Sequence, residues 1–278
     1  MDSAIRRPTS ATFGWYVGLS ALSIVVLFPV YMTLVRALST PAAYVREGLP
    51  LTPVNPQWDV FQRAFTEGDM GGRLALSAVV TIIIVVAQLV TSVLAAYAFT
   101  FLDFPGRRIA FAVFMATLML PIEVTLIPNV ATIRDLSWFN SLQGLTAPFL
   151  ATAFGIFLIR QGFTAIPKDL RDAAALDGFG HLAFLRRVAI PVTRPVIASF
   201  GVIAFLSAWN QYTWPRAVVD TEQWSTVQIA LKSVAATNIE ESNIGFAAAI
   251  IAALPVLALL ALLQRQLIRG LTAGAVKG

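Results

Sequence analysis

The chain has no cysteine and only one histidine, His181, in 278 residues. Without thiols there can be no disulfide and no thiolate metal site, and one imidazole cannot build a histidine metal cluster. Charge is also scarce: 13% of residues are charged, against roughly 25% in an ordinary soluble domain. No Gly-x-x-x-x-Gly-Lys-Ser/Thr run occurs, so the chain has no loop to cradle nucleotide phosphates. No nucleophile triad or carboxylate dyad is legible either, which argues against an enzyme and against any cofactor or metal bound by this chain. No internal repeat stands out, and no linker separates two domains.

What the sequence has in abundance is apolar surface, at 57% hydrophobic residues. About 20 uncharged, mostly apolar residues cross the hydrocarbon core as a helix. Six stretches meet that requirement: Phe13 to Val35, Leu74 to Phe101, Ile109 to Ile133, Leu136 to Ile159, Pro195 to Pro215 and Ile244 to Leu263. Glu123 is the one charged residue inside them. Buried core helices are shorter and carry a polar stripe of period 3.6, so these stretches read as membrane spans. Arg6 and Arg7 precede the first span as they would in a signal peptide. Its apolar run is too long for one and no small-x-small cleavage site follows, so it reads as a retained anchor. The expectation is an all-α polytopic membrane protein with six transmembrane helices, forming one transmembrane domain over residues 1–278.

Lysine and arginine mark the cytoplasmic loops. With both termini inside and Glu123 counted outside, 13 Lys/Arg and 5 Asp/Glu fall on the cytoplasmic side, against 7 and 10 on the other. The reverse orientation would invert the rule. The pI of about 10.0 therefore reflects topology, and no nucleic-acid interface is called for. The external segment from Ser39 to Arg73 is rich in Pro and Gly, with a short amphipathic piece from Trp58 to Phe65. The external segment from Ala217 to Asn243 reads as a polar loop.

The cytoplasmic connection from residue 166 to 195 is the most informative. It reads Ile166-Pro-Lys-Asp-Leu-Arg-Asp-Ala-Ala-Ala-Leu-Asp-Gly178, then a basic stretch to Arg187, then Ala189-Ile-Pro-Val-Thr-Arg-Pro195. Pro167 suits a first helical position, and Asp169 and Asp172 favour the positive end of the helix dipole. Ala173, Ala174 and Ala175 favour helix while leaving room for a close surface. Gly178 can take the left-handed conformation that ends such a helix. Phe184, Leu185 and Val188 form an apolar stripe on a second, basic helix, with Pro191 and Pro195 punctuating the return to the membrane. Two readings fit this pattern: a docking surface for another protein, or an interfacial helix on lipid headgroups.

Asp172-Ala-Ala-Ala-Leu-Asp-Gly178, with Phe184, Ile190-Pro191 and Pro195, resembles the EAA loop of ABC-importer permease subunits. Asp172 stands where that family usually has Glu. Trp209-Asn-Gln-Tyr-Thr-Trp-Pro215, Leu254-Pro255 and the tail Gly270-Leu-Thr-Ala-Gly-Ala-Val-Lys-Gly278 are similar to the maltose-type carbohydrate branch, and residues 75 to 278 match in order. Met119-Leu-Pro-Ile-Glu-Val124 and Trp209-Asn-Gln-Tyr-Thr-Trp-Pro215 look closest to permeases for glycerol-3-phosphate and its diesters, although neutral-sugar permeases share much of the pattern.

The resemblance implies the type I ABC-importer transmembrane fold in a bacterial inner membrane. It implies a second permease subunit, two ATP-binding subunits that hold ATP and Mg, and an extracytoplasmic substrate-binding protein. It makes Asp172, Ala173, Ala174, Asp177 and Gly178 the ATPase-docking residues, and Gly270, Gly274, Lys277 and Gly278 a tail that reaches the ATPase. The 217–243 segment would occupy the place where this branch probes the binding protein's pocket.

Polar groups inside a membrane are costly and so mark function. Glu123 lies between Pro121 and Pro128, which are expected to interrupt the third span, and it is a candidate for lining the substrate pathway. Trp209, Asn210, Gln211 and Tyr212 combine flat aromatic faces with amides, suitable for a sugar's apolar face and hydroxyls. Trp214 and Trp224 fit an interfacial aromatic belt. His181 reads as a solvated loop residue, and Arg160 as a side chain snorkelling to headgroups. Pro29, Pro148 and Pro255 read as kinks. An ion-gradient-driven secondary transporter is the alternative class, with Glu123 as a thin titratable relay. A non-transporting scaffold is a third. Because the chain lacks cysteine, an H181C variant would carry a unique thiol. It is expected to react with a membrane-impermeant maleimide in inside-out vesicles and to stay unlabelled in intact cells.

Overall fold

A computed structural model describes residues 10–67, 69–237 and 241–272. Every regular element among them is helical. The chain divides into two compact units, one from Met1–Met70 with Leu231–Ala252, the other from Gly71–Ala230 with Ala253–Gly278.

The first unit is built on α1 (Ser10–Leu38), followed by α2 (Pro41–Glu47) and α3 (Val60–Glu67). The amphipathic piece expected near Trp58 is thus a helix starting at Val60. None of the most apolar window of α1 is buried within the chain, as suits a helix that faces lipid or another subunit. Only its end is packed, with Val35, Ala37 and Leu38 buried. There the Arg36 guanidinium lies 4.9 Å from the centroid of the Tyr44 ring and 4.7 Å from that of Phe246. Two aromatic faces thus hold a cation at the helix end. Asn243, 2% exposed, donates from Nδ2 to Gln57 Oε1 at 2.7 Å.

The second unit begins with α4 (Met70–Phe101), whose first residue belongs to the other unit, and continues through α5 (Arg107–Thr117) and α6 (Ile122–Asp135). It goes on through α7 (Leu142–Thr146), α8 (Ala153–Thr164), α9 (Lys168–Leu176), α10 (His181–Phe184), α11 (Ile190–Trp209) and α12 (Thr213–Val218). Helix α13 (Val227–Thr237) runs across the unit boundary, as does α14 (Ser242–Thr272).

Among the described residues, four helical stretches are long and apolar enough to cross a membrane: Phe13–Leu38, Met70–Phe101, His181–Trp209 and Ser242–Gln264. The pair Leu142–Phe149 and Ala153–Thr164, bent by 45°, makes five if taken as one span. The expected third span is two helices. α5 stops at Thr117 and α6 starts after Pro121, whose missing N–H and restriction of the preceding residue favour the break. Pro128, expected to interrupt as well, lies inside α6.

The expected fourth span differs more. Residues 136–141 form a loop with left-handed Ser137 and Asn140, at φ 57 and 50. The helix starts only after Ser141, whose hydroxyl caps it by accepting from Gly144 N at 3.1 Å. Pro148 lies in a short 3-10 turn, Ala147–Phe149, rather than at a kink. Breaking a helix at membrane depth frees carbonyls that must find donors. Both donors come from α4: Gln88 Nε2 donates to Phe149 O at 2.8 Å, and Thr91 Oγ1 lies 3.1 Å from Leu150 O, sharing its one proton with Ala87 O at 2.8 Å.

The fifth span runs earlier than expected. α10, a π-helical turn at Leu185–Ala189 and α11 form one helical stretch from His181 to Trp209. Pro191 and Pro195 lie within it rather than marking a return loop. Proline removes an i−4 donor, and the wider turn just before Pro191 absorbs that loss. The helix ends at Trp209 instead of Pro215. Residues 217–243, expected as a polar loop, contain α13, with Val227 fully buried.

Gly155 shows how tightly α8 and α11 pack, because a Cβ there would collide with the Phe200 ring and with Ser92 Oγ. G155V is expected to cost about 1–3 kcal/mol by overpacking, seen as a lower thermal midpoint of the purified protein in detergent.

Candidate functional site

Helix α9 is the centre of the 166–195 connection, and its ends follow from sequence. Pro167 is its N-cap, one position before the expected one, and Asp169 lies in the first turn. At the other end Gly178 takes φ +75. Phe179 N donates to Ala174 O at 2.9 Å and Gly178 N to Ala175 O at 3.1 Å. This pair of bonds is a Schellman cap, which satisfies the last carbonyls and turns the chain.

The helix has two different faces. Ala174, 5% exposed, turns inward into a cluster with Tyr97, Phe163, Phe184 and Phe200. Asp172, Ala173, Asp177 and Gly178 are exposed. Of the five expected docking residues, Ala174 therefore anchors the helix to its own chain while four face outward. The exposed face also carries apolar residues that sequence reasoning passed over: Leu176 is 89% exposed and Leu182, on α10, 64%. An apolar residue one place from the end of a helix is a signal a helical wheel could have given.

Tyr97 of α4 holds the connection from the membrane side. Its Oη lies 3.1 Å from both His181 Nδ1 and His181 O. A phenol has one proton to give, so donation to the carbonyl leaves Oη to accept from Nδ1. Both contacts are therefore satisfied when Nδ1 carries a proton. His181, expected to be merely solvated, is tied to the core by its ring and its backbone. Arg171 lies over the Phe101 ring at 5.8 Å and Arg187 over Phe179 at 5.3 Å. Between them Tyr97, Phe101, Ala174, Phe179 and Phe184 line a cavity of about 220 Å³. Arg160 does not snorkel freely: its guanidinium lies 4.3 Å from the Phe111 ring centroid.

The expected pathway residues fall at two helix ends. Glu123 is exposed in the first turn of α6, where the helix dipole favours a carboxylate. Trp209 is 3% exposed and stacks on Phe205 at 5.7 Å with the rings 8° from parallel. Its face is thus occupied within the chain. Asn210 ends α11 and donates to Leu206 O at 2.9 Å while remaining exposed. Gln211 Oε1 is buried with no hydrogen-bond partner among the described residues. Tyr212 precedes α12, partly buried. Trp214 is no belt residue: it is 4% exposed, donates from Nε1 to Gly144 O at 3.0 Å and meets Phe149 edge-on. Gly270 lies in the last turns of α14. Gly274, Lys277 and Gly278 lie outside the described residues. Among the described residues no group of His, Asp and Glu could hold a metal ion.

A family model described as "Binding-protein-dependent transport system inner membrane component" matches residues 88–273. A relative from Rhizobium meliloti, named sn-glycerol-3-phosphate transport system permease protein UgpE, is 34% identical, the match covering 96% of this chain and 97% of the relative. A protein of the same name from Pectobacterium atrosepticum is 33% identical over 88% of this chain and 90% of its own length. A chain from the crystal structure of a bacterial ABC transporter involved in the import of the acidic polysaccharide alginate shares the fold. Its TM-score is 0.80 at 24% identity, covering 95% of this chain and 99% of that one.

Tyr97→Phe is expected to remove roughly 1 kcal/mol from the packing of α9 and α10. The readout is faster hydrogen exchange over residues 168–184, with exchange in α4 unchanged.

Proposed function

The chain belongs to the family of binding-protein-dependent transport system inner membrane components, and from that membership we propose that it forms half of the import pathway for a glycerol-3-phosphate-type substrate. It is a permease subunit of an ABC importer in the inner membrane and not an enzyme. Such a subunit works with a partner permease, an ATPase and a substrate-binding protein. In the proposed complex there are two ATP-binding subunits, which hold the ATP and Mg, and one extracytoplasmic binding protein. Residues 1–278 act as one transmembrane domain with six crossings, counting α5 with α6 and α7 with α8 as broken spans. Both termini are cytoplasmic, a reading supported by the excess of Lys and Arg on that side.

The observation that carries the mechanism is the two-faced packing of α9. Asp172, Ala173, Asp177 and Gly178 dock on the ATPase, joined by exposed Leu176, while Ala174 packs against Phe163 and Phe184. Movement of the ATPase subunits then reaches the membrane through a packed cluster. α10 runs on helically into α11, so displacement at His181 is passed towards Trp209. ATP-driven closure of the partner subunits would turn the pathway outward, and hydrolysis would return it. The tail residues Gly270, Gly274, Lys277 and Gly278 reach between the ATPase subunits.

Within the pathway, Asn210, Gln211 and Tyr212 meet the substrate's hydroxyls. The unpartnered Gln211 Oε1 is an acceptor of the kind a hydroxyl donor would satisfy. Trp209 shapes this end from beneath through its stack on Phe205. Glu123 accepts from hydroxyls and repels phosphate, which leaves exposed Arg216, in the last turn of α12, to meet the phosphate. The relatives named for sn-glycerol-3-phosphate transport support this substrate class.

G178R tests the docking role. At φ +75 any side chain is strained by about 1–2 kcal/mol, and among the described residues a Cβ there meets no atom within 4 Å beyond its chain neighbours. G178A carries that strain without the bulk. The expected result is that G178R inserts normally but loses uptake and substrate-stimulated ATP hydrolysis, while G178A keeps most of both. Normal transport by G178R would sink the docking assignment. A thermal-shift screen of the binding protein that favours neutral sugars over glycerol phosphates would sink the substrate class.

A further inference from the structure

The segment after α1 does not simply leave the membrane. Four contacts trace its course alongside that helix. At the helix end, Thr40 N donates to Val54 O at 3.1 Å and Gln57 N to Leu38 O at 2.8 Å, so residues 54–57 lie level with 38–40. Between these anchors the chain makes an excursion. Its outward limb, α2, packs Tyr44 beside Arg36. Its return limb passes Tyr31, whose Oη donates to Leu51 O at 2.6 Å. The excursion therefore runs back down α1 rather than away from it.

The depth follows from helix geometry. Tyr31 precedes Leu38 by seven residues, or roughly 10 Å at 1.5 Å per residue. Long helical side chains lean towards the N-terminus, so Tyr31 Oη lies no nearer the helix end than its own backbone. The 29 residues of α1 span about 43 Å, against a hydrocarbon core of about 30 Å. Arg36 cannot lie far inside that core, so its guanidinium marks the headgroup zone. Leu51 lies beyond it, towards the acyl chains.

The residues suit that depth. Val45 is 68% exposed, Leu49 79% and Leu51 61%, next to Trp58 at 73%. No charge occurs between Glu47 and Asp59. Arg46 and Glu47 end α2, near the level set by Arg36, where headgroups and water can solvate them. Irregular backbone is expensive near hydrocarbon because its polar groups need partners. Here Pro50 and Pro53 have no N–H to satisfy, and the Leu51 carbonyl receives the Tyr31 hydroxyl.

We infer that residues 48–53 form an uncharged wedge that inserts Leu49 and Leu51 into the acyl–headgroup boundary of the bilayer beside α1. The occupant of this surface is lipid, because the same surface is continuous with the exposed apolar sides of α1. The inference rests on α1 being membrane-embedded. Its role is to fix the depth of α1, which the chain's own packing holds only at its end.

The absence of cysteine provides the test. L49C, L51C, V25C and Q62C are each labelled with bimane in the assembled transporter in lipid nanodiscs, with uptake in vesicles confirming function. Quenchers are aqueous iodide and phosphatidylcholine carrying a nitroxide near the top of its acyl chain. The expected result is a blue-shifted emission at L49C and L51C, quenched more by the nitroxide lipid than by iodide, with the reverse order at Q62C on α3. Iodide quenching of L49C and L51C equal to that of Q62C would overturn the wedge. So would protection from both quenchers, which would mean that a protein subunit covers it. V25C, midway along α1, separates the two claims: iodide quenching there equal to that of Q62C would mean that the membrane reading of α1 itself has failed.

Discussion

A bilayer offers no water to a broken helix, so each interruption must bring its own hydrogen-bond donors or remove the need for them. That constraint explains the most unusual parts of this structure. Gln88 and Thr91 of α4 bring donors to Phe149 and Leu150, where the fourth span bends, Thr91 sharing its one proton between Leu150 O and Ala87 O. Without them the bend would leave carbonyls unpaired, at a cost of several kcal/mol each in hydrocarbon. The π-helical turn before Pro191 is a second solution, in which the helix widens so that a residue without an N–H does not end it. The Gly48 to Pro53 excursion is a third, with prolines in place of donors and one carbonyl taken by a tyrosine hydroxyl.

The same constraint divides the work of α9. A helix outside the bilayer can satisfy its ends locally, and the Schellman cap at Gly178 does so with backbone alone. No side chain need be spent on the cap, so the outward face is free to be small, acidic and apolar by turns. The inward face needs only Ala174, because the cluster around it is aromatic and fills the space. Fixing α9 by one small residue and by the Tyr97–His181 contact makes it a rigid extension of α4, α8 and α11. A flexible loop in its place would absorb movement that a packed helix transmits.

The sequence carried most of this architecture, and the gaps have physical causes. Hydropathy found α1, α4 and α14 nearly end to end, because each is long and unbroken. It also found the start of α9 and its glycine stop, since capping is local chemistry. It misplaced the fourth span because an apolar count cannot tell a helix from an apolar loop. The left-handed conformations at Ser137 and Asn140 are set by contacts such as that of Asn140 with Asp220, 80 residues away. It placed the start of the fifth span at Pro195 because prolines at 191 and 195 read as helix breaks, whereas a π-helical turn carries the helix across them.

Residue roles were harder to read than helices. His181 looked solvated because its partner, Tyr97, is 84 residues distant. Trp209 looked like a flat surface for a sugar, but an aromatic residue four positions along a helix supplies a stacking partner, and Phe205 takes that face. The amides after it were legible for a firmer reason. α11 ends at Trp209, and although Asn210 N still donates to Leu206 O at 3.1 Å and Gln211 N to Ala208 O at 3.3 Å, the helix goes no further and their side chains must answer to whatever lies beyond it. Asn210 turns back to Leu206, whereas Gln211 leaves a buried oxygen with no donor among the described residues. A buried acceptor without a donor, just past the end of a helix and beside an exposed amide, is the feature that supports the proposed pathway at this end of α11.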